Sequence, residues 1–198
     1  MRARLRAIVL FAVALTPSAY LAWRWRGMPH LGLHHDDGLY LATAKSLAEG
    51  RGYRIDSLPG RPYQTKYPPV TSLLLAVLWR CAPRFPDNLP WATLLAWLMF
   101  PPYLFLARAT FRRYGLAESE CWVLTFAAAC YPLACLLTTV PMSDILFLPL
   151  FLGCLLLAER AAGPRATPWL AFAAGLIAIS AVTPTLSRLP LSVALDAE

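Results

Sequence analysis

Charge is what this chain has least of. Only 15% of its 198 residues are Asp, Glu, Lys or Arg, against about a quarter in a soluble globular domain, and 58% are hydrophobic. So little charge argues against an ordinary water-soluble globule and points to a bilayer. Lysine is nearly missing as well: the formal charge of +7 is carried almost wholly by arginine. The arginines cluster at the ends of apolar runs, where they set topology rather than attract nucleic acid. Zinc-ligand spacing, a glycine-rich phosphate loop and an RNA-binding signature are all absent from the sequence, so neither a nucleic-acid partner nor a cofactor is expected. A divalent-metal requirement stays open. The five cysteines, Cys81, Cys121, Cys130, Cys135 and Cys154, form no CxxC and lie in or beside apolar segments. They are expected to be small buried hydrophobes. There is no internal repeat and no low-complexity linker, which leaves a single membrane domain over 1–198.

What is present is a series of apolar runs. A helix needs about 20 residues to cross a bilayer, with about 17 as the lower limit. Residues 7–23, "AIVLFAVALTPSAYLAW", meet that limit behind the basic start "MRARLR". No small-x-small cleavage site followed by a polar domain is evident, so the segment reads as a retained signal anchor. Three arginines in the first six residues put the N-terminus in the cytoplasm, although Arg24 and Arg26 pull the other way. The polar stretch 24–67 then forms an external loop holding all three histidines.

Next, Val70, Leu73, Leu74, Val77, Leu78 and Cys81 fall on one helical face within a run too short to span comfortably. This predicts an interfacial helix over 70–82. Further spans are expected at 90–107, 121–139, 145–158 and 169–182, with an atypical tail over 183–198. That arrangement leaves the arginines of "RATFRRYG" and "ERAAGPR" in the cytoplasm; a span at 70–82 would flip both clusters outside. The predicted fold class is therefore an all-α integral membrane protein with about five transmembrane helices. Its external loop carries one or two short interfacial helices.

The loop has its own pattern. From Asp37 to Glu49, Leu39, Thr43 and Leu47 share a helical stripe beside Tyr40 and Ala44, and Gly50 and Gly52 end it. Asp36 or Asp37 thus stands at a helix N-terminus, where one Asp is a favoured cap worth about 1 kcal/mol. A cap needs one carboxylate and this sequence offers two. Neighbouring like charges raise each other's proton affinity while the helix dipole lowers it. Capping and general-base chemistry are equally compatible with the pair.

Lys66 and Tyr67 stand at a corner stiffened by Pro68 and Pro69. Lys66 there suits either snorkelling to headgroups or pairing with a phosphate. Asp144 lies where an outward span turns back, suiting either a cap or a site. His34 and His35 lack metal-ligand spacing and are expected at the interface or against an acceptor.

In order, "DDGLY" (36–40), "EGRGY" (49–53), "KYPP" (66–69) and the outward turn with "MSD" resemble the GT-C glycosyltransferases. The likeness is to the dolichyl-phosphate-mannose protein mannosyltransferase branch, including the enzymes that transfer aminoarabinose to lipid A, and covers the N-terminal portion of that pattern. It implies transfer of a sugar from a polyprenyl-phosphate donor to an acceptor hydroxyl on a lipid, glycan or protein, with inversion. The reaction would occur on the external, periplasmic face of a bacterial-type inner or plasma membrane. By the same resemblance Asp36 is the catalytic base and Asp37 its acidic companion. Lys66 steadies the leaving phosphate, while Tyr40, Tyr67 and Asp144 contact substrate.

The family pattern usually runs about twice this length, so "AVTPTLSRLPLSVALDAE" at the end raises the expectation of a truncated, inactive form. The alternative is a small non-catalytic membrane protein that binds a lipid phosphate or a partner protein. A transporter role lacks the intramembrane ionisable residues it would need.

Overall fold

The computed structural model describes residues 2–161, so the expected span at 169–182 and the tail at 183–198 lie outside them. The described residues fold into helices joined by loops, with one isolated antiparallel bridge between Arg54 and Tyr63. The helices are α1 (Arg2–Arg24), α2 (Asp36–Ala48), α3 (Pro69–Cys81), α4 (Leu89–Leu98), α5 (Phe100–Arg113), α6 (Glu118–Ala129), α7 (Pro132–Leu137) and α8 (Ser143–Ala161). Two stretches are long and apolar enough to cross a membrane: Arg4–Arg24, and Leu89–Arg113 with α4 and α5 taken together. Met99, between α4 and α5, keeps right-handed helical dihedrals, so the run is not broken there.

Not every expected span is one continuous helix. The stretch 121–139 divides into α6 and α7 at Cys130 and Tyr131, because Pro132 forces Tyr131 into an extended conformation (φ −65°, ψ 121°). Neither piece alone reaches the length a crossing needs. The run 145–158 lies inside α8, which carries Pro149. Two of the cysteines, Cys81 and Cys130, are exposed rather than buried, whereas Cys121 and Cys135 are fully packed.

α1 runs antiparallel to α4–α5. Trp97 Nε1 donates to Ser18 Oγ at 3.2 Å, Thr93 Oγ1 donates to the Arg26 carbonyl at 3.2 Å, and Ala14 shares a core with Phe100. The arginines opening α1 and those closing α5 therefore lie toward the same end. α8 also reaches that end, where Arg113 pairs with Glu159.

Two cores result. One joins α2, α3 and the start of α4 through Tyr40, Ala44, Leu75, Trp79 and Leu89; full burial of a side chain such as Leu75 contributes about 1.5–3 kcal/mol. The other joins α1, α4–α5, α6–α7 and α8 through Ala14, Ala96, Phe100, Leu104, Ala129 and Ile145. α3 packs inward with Thr71, Ser72, Leu75, Ala76 and Trp79. Its apolar stripe points away from the protein, leaving Leu73 50% and Val77 65% exposed.

Candidate active site

The loop between α1 and α2 sets up the carboxylate pair. His35 has φ 64° and ψ −50°, and the Asp36 N–H donates to the His34 carbonyl at 2.6 Å. This is a γ-turn with positive φ, a conformation that costs on the order of 1–3 kcal/mol for a residue with a side chain. It turns the chain directly into α2, so Asp36 and Asp37 begin the helix rather than cap it. Gly50 and Gly52, at φ 74° and 82°, end α2 as its composition predicts.

The two acids have different fates. Asp37 is fully buried, and its carboxylate accepts from the Gly32 N–H at 2.9 Å and from its own neighbour Gly38 at 2.7 Å. Both oxygens are engaged in holding the loop onto the helix start. Asp36 is half-buried, and its Oδ1 accepts a hydrogen bond from the Tyr67 hydroxyl. Its other oxygen has no partner among the described residues.

Tyr67 belongs to the corner built by residues 53–69. Gln64 N–H donates to the Tyr53 carbonyl at 2.9 Å, Lys66 N–H donates to Gln64 Oε1 at 3.0 Å, and the Tyr53 hydroxyl donates to the Tyr67 carbonyl at 2.9 Å. With Pro68 extended and Pro69 in the first turn of α3, this network fixes where Lys66 and Tyr67 sit. Lys66 Nζ lies 5.0 Å from the centre of the Tyr67 ring, and that ring packs at 5.3 Å against Tyr40.

Tyr40 is 2% exposed and joins this corner to the start of α8. Burial pushes its phenol well up from the ordinary value. The Ser143 side chain beside it opposes that shift, while the negative charges of Asp36 and Asp144 reinforce it. Burial also raises Tyr67, whose bond to Asp36 acts in the same direction and whose neighbour Lys66 opposes it. Both phenols stay protonated, so Tyr67 remains a donor to the Asp36 carboxylate.

The expected residues Asp36, Tyr40, Lys66, Tyr67 and Asp144 therefore meet around two tyrosine rings, although they come from three separate stretches of chain. Asp37 is held apart from them by its amide bonds. Tyr53, Gln64 and Ser143 complete the cluster. Tyr53 and Ser143 sit inside the quoted motifs, and Gln64 two residues before one of them, which was their only signal in the sequence.

The same two segments are joined once more. His30 Nε2 lies 3.0 Å from Thr139 Oγ1, across 109 residues. The Thr139 hydroxyl gives its proton to the Leu136 carbonyl at 2.7 Å, so His30 Nε2–H is the donor. Burial holds the His30 imidazole below its ordinary value, as does neighbouring His34. His35 is exposed, and His34 Nε2 is buried without a hydrogen-bond partner among the described residues. Among the described residues no group of three His, Cys, Asp or Glu side chains comes together to hold a metal ion. No family model, curated protein or solved structure matches this chain.

Proposed function

We propose that the chain is an integral membrane glycosyltransferase of GT-C type, moving a sugar from a polyprenyl-phosphate donor to an acceptor hydroxyl. Its N-terminus lies in the cytoplasm, and Asp36 and Lys66 act on the opposite face. The observation that carries this reading is the meeting of Asp36, Tyr67 and Lys66 at one corner. The topology is supported by the gathering of arginines at the far end of the helices, as the positive-inside preference requires. The outward apolar stripe of α3 would keep the corner level with headgroups, where a lipid-linked phosphate is presented.

In this mechanism the acceptor oxygen attacks the anomeric carbon from the side opposite the phosphate. The new carbon–oxygen bond forms as the bond to the phosphate oxygen breaks, and the electron pair leaves with the phosphate. The acceptor's proton passes to the unpartnered oxygen of Asp36. Tyr67 keeps the other oxygen in place, and Lys66 steadies the charge growing on the leaving phosphate. Asp37 holds the loop that aims Asp36.

The test is consumption of a radiolabelled polyprenyl-phosphate sugar by the purified chain in liposomes with a soluble alcohol acceptor. The expected result is an inverted glycoside and free polyprenyl phosphate, with the rate lowered about 10²–10³-fold in Lys66→Met. Donor that binds through Lys66 but is never consumed would favour the non-catalytic lipid-phosphate-binding alternative.

A further inference from the structure

Away from the Asp36 cluster, α1 and α4 form the walls of an open slot of about 340 Å³. Ala19, Trp23, Trp91 and Trp97 line it together with Arg26. The Trp97–Ser18 and Thr93–Arg26 hydrogen bonds pin both walls, so the slot is not a gap that a small shift would close. Trp23 and Trp91 are 68% and 55% exposed, a large aromatic area that the described residues leave uncovered.

Arg26 is also held. Its Nη1 donates to the Trp23 carbonyl at 3.0 Å, and its guanidinium lies 4.4 Å from the centre of the Trp23 ring. No carboxylate of the described residues forms an ion pair with it. An apolar, aromatic slot lined by a guanidinium that no described carboxylate pairs with complements a molecule with an apolar chain and an anionic head.

We infer that this slot seats one anionic glycerophospholipid, with an acyl chain between the tryptophans and its phosphate on Arg26. The inference rests on the membrane reading above but not on the chemistry at Asp36. The polyprenyl-phosphate donor is a separate molecule. Its phosphate belongs at Lys66, in the corner that packs on α2, and α4 turns Leu89 and Ala92 toward that side while Trp91 lines the slot.

Native mass spectrometry of the full chain, purified in mild detergent and offered phosphatidylglycerol or phosphatidylcholine, tests this. The expected result is one retained phosphatidylglycerol and no phosphatidylcholine. Arg26→Gln, an exposed position, should weaken retention about tenfold or more. Ala19→Phe should fill the slot and abolish retention, and Lys66→Met should leave it unchanged. Equal retention of the two lipids, retention unchanged in Arg26→Gln, a dimer with no lipid, or displacement of phosphatidylglycerol by polyprenyl phosphate would each overturn the assignment. Lost lipid retention with intact sugar transfer would sink the lipid seat alone. Retained lipid with no transfer would sink the sugar-transfer reading alone.

Discussion

The two ends of α8 hold acidic side chains in opposite circumstances. At the C-terminal end, Glu159 pairs with Arg113 and accepts from the Tyr114 hydroxyl at 3.4 Å. Nearby, Glu118 pairs with Arg108 and, at 3.8 Å, with Arg112. At the N-terminal end, Asp144 and Asp36 form no ion pair with any described residue, although both act on the buried Tyr40 phenol. Where carboxylates only join helices, arginines neutralise them. Where one is placed by a γ-turn, a phenol and a proline corner, a tyrosine hydroxyl holds it instead of an arginine. A carboxylate without an ion pair among the described residues suits the proposed reactive role better than that of a strut.

Substitutions at the two ends sharpen that contrast. Asp36→Asn keeps the shape but removes the base, and should lower sugar transfer about 10²–10⁴-fold in liposomes. Glu159→Gln should leave the rate unchanged, and an equal loss in both would erase the distinction between the two ends. Asp37→Ala frees two backbone amides and should cost about 1–3 kcal/mol, read as a lower thermal midpoint. A midpoint equal to that of the wild type would show that Asp37 does not hold the loop.

His30 gives a smaller, pH-dependent effect. Burial holds its folded pKa below the ordinary 6.5, so as pH falls through that value the unfolded chain takes up a proton before the folded one does. Stability should be full above that value and decline toward the lower folded pKa. The decline should flatten in His30→Gln, as measured by thermal midpoints across that range. The smallest effect belongs to the arginine end: Glu118→Gln should cost about 0.2–1 kcal/mol, and less in high salt, because Glu118 and its partner Arg112 are largely exposed, although Arg108 is not. A larger loss would mean that this end is not held by surface pairs alone.

Much of the site was legible in the sequence because its parts are local. The start of α2, its glycine end and the stiff Lys66–Pro69 corner each follow from a few adjacent residues. How the Asp pair divides its work was not legible, since that depends on the positive φ at His35 and on Gly32 reaching back to Asp37. The His30–Thr139 contact spans 109 residues and leaves no trace in periodicity. Hydropathy marked 121–139 as one run, whereas Pro132 divides it. On α3 the apolar stripe could be read, but not that Thr71, Ser72 and Ala76 would face the protein, because small side chains let α2 approach closely.

The most direct measurement is carboxyl labelling with a water-soluble carbodiimide and an amine, read by peptide mass with and without polyprenyl phosphate. Asp36 should label and become protected when the lipid phosphate is added, Asp37 should resist labelling throughout, and Glu159 should not respond to the lipid. Labelling of Asp36 that polyprenyl phosphate leaves unchanged would contradict the account.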